Sequence, residues 1–133
     1  MISEAILGTK KELYWHWTRL EPIAKSNMAI RQGKWKLYYP PIEGSLINSA
    51  FKHRKEVFQV TWEILKEVPY RKLGSPHKPM LFDLENDILE ENDLSQVYPQ
   101  VAKDLEVKLN SWFDRVSAEW KEKTKQTLID NKD

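Results

Sequence analysis

The stretch N-M-A-I-R-Q-G-K-W-K-L-Y-Y, residues Asn27–Tyr39, decides the fold. Met28 and Ile30 alternate with Ala29 and Arg31, and Trp35, Leu37 and Tyr39 alternate with Lys36 and Tyr38. That period of two belongs to half-buried strands. Gly33, which can take a positive φ, and the polar Lys34 supply the tight connection between them, so the spacing predicts a β-hairpin. Two strands alone are marginal in water, and the hairpin must find partners elsewhere in the chain.

On the N-terminal side, Glu12–Trp17 sets Leu13, Trp15 and Trp17 against Glu12, Tyr14 and His16, an aromatic alternation that predicts a first strand. Before it, Ile2–Leu7 ends at Gly8 and suits the last turn of a helix. Thr18–Ser26, broken by Pro22, connects this strand to the hairpin. On the C-terminal side, Pro40 and Pro41 end the hairpin, since neither can donate to a sheet ladder. Phe51, Val57, Phe58, Trp62, Leu65 and Val68 then recur at spacings of three and four, predicting an inserted helix capped by Asn48 or Ser49 and stopped by Pro69. Arg71–Pro79 reads as a loop, and Met80–Leu84 as a further strand followed by an exposed, turn-rich acidic segment.

From Pro99 onward, Val101, Leu105, Leu109, Trp112, Phe113, Val116 and Trp120 form one apolar stripe. Proline suits the first helical position, and Lys121, Lys123 and Lys125 suit the C-terminal end of the dipole. Leu94 and Val97 are expected to fold in just before this helix, and the polar residues beyond Thr127 to fray. The predicted architecture is α+β: a small antiparallel sheet of about four strands, the long C-terminal helix on one face, and the inserted helix between the hairpin and the last strand. One helix covers one face, yet aromatic residues fall on both sides of the strands. The second face needs another cover.

A chain of 133 residues predicts a single domain over residues 1–133. A hydrophobic fraction of 41%, with six tryptophans, argues against disorder. The net charge of +1 gives no global pull towards nucleic acid or an anionic membrane, so neither is an expected partner. The opening MISEAILGTKK lacks the basic start and apolar stretch of a signal peptide, which leaves the compartment unassigned. Without cysteine there are no disulfides, no thiolate chemistry and no cysteine-based metal sites. Locally the charge is uneven, with Lys25, Arg31, Lys34 and Lys36 in one stretch and Asp83, Glu85, Asp87, Glu90, Glu91 and Asp93 in another, the pattern of complementary patches.

No catalytic constellation emerges from the spacing, and the paired carboxylates, Asp83 with Asp87 and Glu90 with Glu91, are expected in an exposed turn that would not shift a pKa usefully. Asp83, Glu85 and Asp87 alternate as in a calcium loop, but Ile88 and Leu94 stand where that loop requires glycine and glutamate. His16, His53 and His77 lack the short spacing of a metal site. Of these, His16, between two tryptophans, is the one to follow, and its commoner role would be a partly buried group hydrogen-bonded to backbone. No phosphate-cradling glycine loop and no nucleophile elbow are present. The hairpin's aromatics and lysines can stack on sugars, although strands more commonly pack such side chains.

Taken together, AIRQGKWKLYY, LFDLENDILEENDL and the helix carrying SWFDRV resemble the C-terminal subdomain of a formylglycine-dependent sulfatase of the arylsulfatase class. That family carries, in order, a leucine-rich segment ending in glycine, a Leu-Tyr-Trp strand and an Ala-x-Arg-x-Gly-x-x-Lys-Leu hairpin. A Leu-Tyr-Asp-Leu-x-x-Asp-Pro-x-Glu-x-x-Asn-Leu segment and a tryptophan-bearing helix follow. Ala29, Arg31, Gly33, Lys36 and Leu37 match the hairpin; Leu81, Asp83, Leu84, Asp87, Glu90 and Leu94 match the acidic segment. The insertion from Ile42 to Pro79 lies outside the match, and Ile88 and Asp93 replace the usual proline and asparagine.

The resemblance implies a domain of a hydrolase of sulfuric esters that completes the fold and walls the substrate cleft. It also implies a missing catalytic domain as partner, covering the second sheet face, and a sulfated substrate. The parent family is often exported or periplasmic. Its calcium and formylglycine belong to the missing domain, and none of the prolines here lies in a Cys/Ser-x-Pro-x-Arg motif, so no cofactor and no catalytic residue is assigned to this chain. His16, Arg19 and Arg31 are the candidate substrate-binding residues, as donors or cations near strand ends that can meet a sulfate ester. The alternative is a free-standing binding module for sulfated or other anionic glycans. The strand aromatics also predict self-association of the isolated chain.

Overall fold

The computed structural model describes residues 11–18, 21–46 and 72–130. The expected helices at Ile2–Leu7 and Phe51–Val68, and Arg19, lie outside the described residues. The four expected strands are present as β1 (Glu12–His16), β2 (Met28–Gln32), β3 (Trp35–Tyr39) and β4 (Met80–Asp83), followed by the helix α1 (Pro99–Asp130). They form one antiparallel sheet in the order β1-β2-β3-β4. The fold is α+β.

The hairpin register pairs Gln32 with Trp35 across a two-residue turn. Gly33 has φ +59, and Lys34 does not share the positive φ. Glycine at the first central position is the signature of a type II′ connection, whose twist matches that of the strands. A Cβ at Gly33 would meet nothing within 4 Å, so backbone conformation rather than space selects glycine there.

The alternation sorts side chains as the period of two requires. Tyr14, Ile30, Leu37 and Leu81 stand in register on the helix side, with Met28 and Tyr39 beside them. Leu105, Leu109 and Phe113 of α1 close over this row, with Ala102 completing the contact as the small residue that lets the helix approach. Met28, Ile30, Leu37, Leu81 and Leu109 are fully buried. Removing each such side chain from water contributes roughly 1.5–3 kcal/mol.

Two details of α1 differ from expectation. Val97 is 63% exposed, because the turn of residues 95–97 precedes the helix and points it outward, whereas Leu94 does fold against the core. The helix also persists to Asp130, past Thr127, with Gln126 Nε2 donating to Asp130 Oδ1 one turn on. Consequently Lys121, Lys123 and Lys125 lie inside the helix, and its last turn carries no basic residue.

Beyond the hairpin, the chain folds back on the start of β2. The Ile42 N–H donates to the buried Ser26 Oγ at 2.9 Å, and Gly74 N–H donates to Glu43 O at 3.0 Å. Gly44 has φ +82, and a Cβ there would sit 2.2 Å from the Lys72 carbonyl oxygen. Two strands of backbone touch at this point, and only glycine allows it.

Candidate functional site

The two sheet faces differ in chemistry. On the helix side, Lys108 Nζ donates to Glu12 Oε1 at 2.7 Å and to Gln32 Oε1 at 3.2 Å, tying α1 to β1 and β2. Tyr14 stacks on Trp112 with ring centroids 5.2 Å apart and donates its hydroxyl to Glu12 Oε2. The Lys108 ammonium, then the Tyr14 hydroxyl, hold the Glu12 carboxyl below its ordinary value. Burial, then the Glu12 carboxylate, push the Tyr14 hydroxyl up to about 12. Tyr39, buried and donating to Glu106, is raised in the same way.

The outer face carries Leu13, Trp15, Ala29, Arg31, Lys36, Tyr38 and Phe82, the residues that alternate with the helix-facing set. Leu13 is 47% and Trp15 41% exposed. Lys36 lies across this face with Nζ 5.3 Å from the Trp15 ring centroid and 5.5 Å from that of Tyr38, and it is paired with Glu90. An ammonium on ring faces is favourable, and its aliphatic stem covers apolar surface beneath. Burial, and then Glu90, raise the Tyr38 hydroxyl.

The acidic segment is a scaffold of capped turns. Asp83 is buried, contrary to the expectation of an exposed carboxylate, because it is the last residue of β4 and collects donors. Its Oδ1 accepts from the N–H groups of Glu85 and Asn86, and its Oδ2 from Asn86 Nδ2 and Lys34 Nζ. Donation from the Asn86 side chain, outweighing the opposing effect of burial, together with Lys34 and the two N–H groups, lowers its pKa. Asp87 caps the N–H groups of Glu91 and Asn92. Asp93 Oδ1 accepts from Leu81 N–H at 3.0 Å and Ser95 N–H at 2.9 Å. Burial alone would raise Asp93, and the Leu81 and Ser95 donors override it and lower it. Only an acceptor oxygen is needed at this position, which asparagine would also supply. Ile88, in the neighbouring turn, is 76% exposed and imposes nothing on the packing.

The candidate substrate-binding residues are not brought together. His16 belongs to the helix side: its ring meets Phe113 edge-on with centroids 5.1 Å apart, and Nε2 lies 3.1 Å from Ile23 O. Burial lowers its pKa, partly offset by that carbonyl, so it is the half-buried, backbone-bonded histidine anticipated as the commoner role. Arg31 lies on the outer face, exposed, and donates Nε to Gly33 O at 3.2 Å. Between the hairpin turn and the start of α1, an open groove of roughly 460 Å³ is lined by Gln32, Gly33, Lys34, Trp35, Val101, Asp104 and Leu105. Trp35 packs against Tyr98 beside it. The sequence pointed to Trp35 and Lys34 but not to Asp104, which is one of many exposed helical carboxylates.

Among the described residues no group of three or more histidine, aspartate or glutamate side chains is placed to hold a metal ion. Nor is any helix among them long and apolar enough to cross a membrane. No family model and no curated protein matches the chain. Among solved structures, it is similar to a sulfatase, designated 6S-sulf, of Bacteroides thetaiotaomicron, from a core genetic locus for metabolism of multiple glycosaminoglycans. Identity is 23% and the TM-score 0.38, over 66% of this chain. The match spans only 14% of the length of that protein, so the similarity is weak and confined to a small part of it.

Proposed function

We propose that this chain is the C-terminal domain of a sulfatase, completing the fold of a larger catalytic domain and walling one side of its substrate cleft, without catalytic residues of its own. The reading is carried by one observation: the residues that bear the sequence resemblance contact one another. Lys36 pairs with Glu90, Leu37 stands opposite Leu81, Leu94 N–H donates to Leu81 O, and Arg31 donates to Gly33 O. Two motifs about fifty residues apart in sequence thus form one structural unit around β3 and β4. The β1 side of the outer face, where Trp15 and Leu13 are exposed, is the surface that the catalytic domain would cover.

The coding sequence immediately upstream tests this. A Cys/Ser-x-Pro-x-Arg motif in the same frame supports the reading, and an in-frame stop with no such motif overturns it. The longer protein should hydrolyse an aryl sulfate, and the 133-residue chain should not. The alternative, a module for anionic glycans, has less support, because Lys34 and Lys36 are already paired with Asp83 and Glu90. It requires salt-sensitive binding of a sulfated glycan by the chain alone.

A further inference from the structure

The two edges of the sheet are finished differently. In β4 the residues whose backbone points away from β3 are Leu81 and Asp83, since Leu84 N–H donates inward to Lys34 O. Three of their four groups are occupied: Leu81 N–H by Asp93 Oδ1, Leu81 O by Leu94 N–H, and Asp83 O by Asp87 N–H. The β4 edge is closed to further strands.

At β1 the Trp17 N–H donates inward to Asn27 O, so in this register Leu13 and Trp15 also face β2. Tyr14 and His16 direct their N–H and C=O groups outward, and β1 pairs with no strand other than β2 among the described residues. The helix α1 packs mainly over β2 and β3 and meets β1 through side chains, at Glu12, Tyr14 and His16, rather than along its outward backbone groups. An edge with no strand partner among the described residues is a template for another strand.

We infer that the occupant is a second copy of this chain, joined through an antiparallel β1–β1 pair centred on Tyr14. The edge is complementary to itself in that register. On the outer face Leu13 meets the partner's Trp15, and Lys11 meets the partner's Trp17, each twice by symmetry. On the helix side Glu12 falls opposite the partner's His16, and Tyr14 opposite its own copy. Cross-strand apolar and cation–aromatic neighbours are the favourable kinds. A two-fold axis repeats them and closes the assembly at a dimer, because the capped β4 edges cannot extend it. The result is a continuous eight-stranded sheet.

Light scattering on the 133-residue chain up to about 1 mM should give a concentration-dependent doubling of mass, and Leu13→Glu should weaken it about tenfold, with circular dichroism unchanged. That substitution sets a carboxylate against the negative face of the partner's Trp15. Since the chain has no cysteine, register is read independently by trapping. Leu13→Cys mixed with Trp15→Cys should form a disulfide-linked heterodimer faster than either variant links to itself. A chain that stays monomeric, whether because its own residues or nothing fills the edge, overturns the inference, as does a dimer in which the mixed pair has no crosslinking advantage.

Discussion

The helix-side face and the outer face of the same four strands are solved by different physics. Beneath α1 the residues are aliphatic and aromatic, fully buried, and closed by contacts within the chain. Across the sheet, Lys36 spans Trp15 and Tyr38 and pairs with Glu90, and Leu13 and Trp15 stay substantially exposed. The helix-side face is closed by contacts within the chain, while the β1 side of the outer face leaves Leu13 and Trp15 in contact with solvent. Stability should therefore be concentrated on the helix side.

The largest effect expected from breaking that contrast is Leu109→Ala, which should lower unfolding free energy by about 3 kcal/mol by opening a cavity under the helix. Chemical denaturation reads this, and a loss below about 1 kcal/mol would mean that α1 is not the main cover. Gly33→Ala comes next. The left-handed φ, with space around it, should cost roughly 1–2 kcal/mol by strain alone. Asp93→Ala removes the acceptor from Leu81 N–H and should cost about 1 kcal/mol, with faster hydrogen exchange at Leu81 than at Leu37. On the outer face Lys36→Met should change stability by less than about 1 kcal/mol, because a partly exposed ion pair contributes little.

The pH dependence separates the faces differently. His16 has its folded pKa lowered by burial from the ordinary value of 6.5. As pH falls through 6.5 the unfolded chain takes up the proton first, so stability declines towards acid. A melting series between pH 7.5 and about 5 should show that decline, and His16→Gln should remove it. Glu12, Asp83 and Asp93, lowered in the fold, add their loss only below about pH 5. At the alkaline end Tyr14, raised to about 12, favours the folded state until pH rises past 10, and stability then falls.

The strands and α1 were legible because their signal is periodic: Met28, Ile30 and Leu37 each sit where alternation predicts, and Leu105, Leu109 and Phe113 where helical spacing predicts. Asp83 was not legible, since its burial depends on a lysine across the sheet and on two N–H groups in a turn. Val97 misled because an apolar residue before a helix says nothing about which way the turn points. Of the candidate binding residues, His16 was readable as a backbone-bonded histidine, but no pattern names Ile23 as its acceptor. The separation of His16 from Arg31 follows from register, where one residue decides the face.

The contact of Gly44 with the Lys72 carbonyl pins the chain to itself on either side of residues 47–71. The two ends of that interval are thereby held at a fixed separation beside the start of β2. Doubling the length of such a tethered stretch costs only about 0.6 kcal/mol of closure entropy. With its ends fixed by the clasp, a change in the length of that interval is cheap in closure entropy, so insertion there is the least costly way to lengthen the chain.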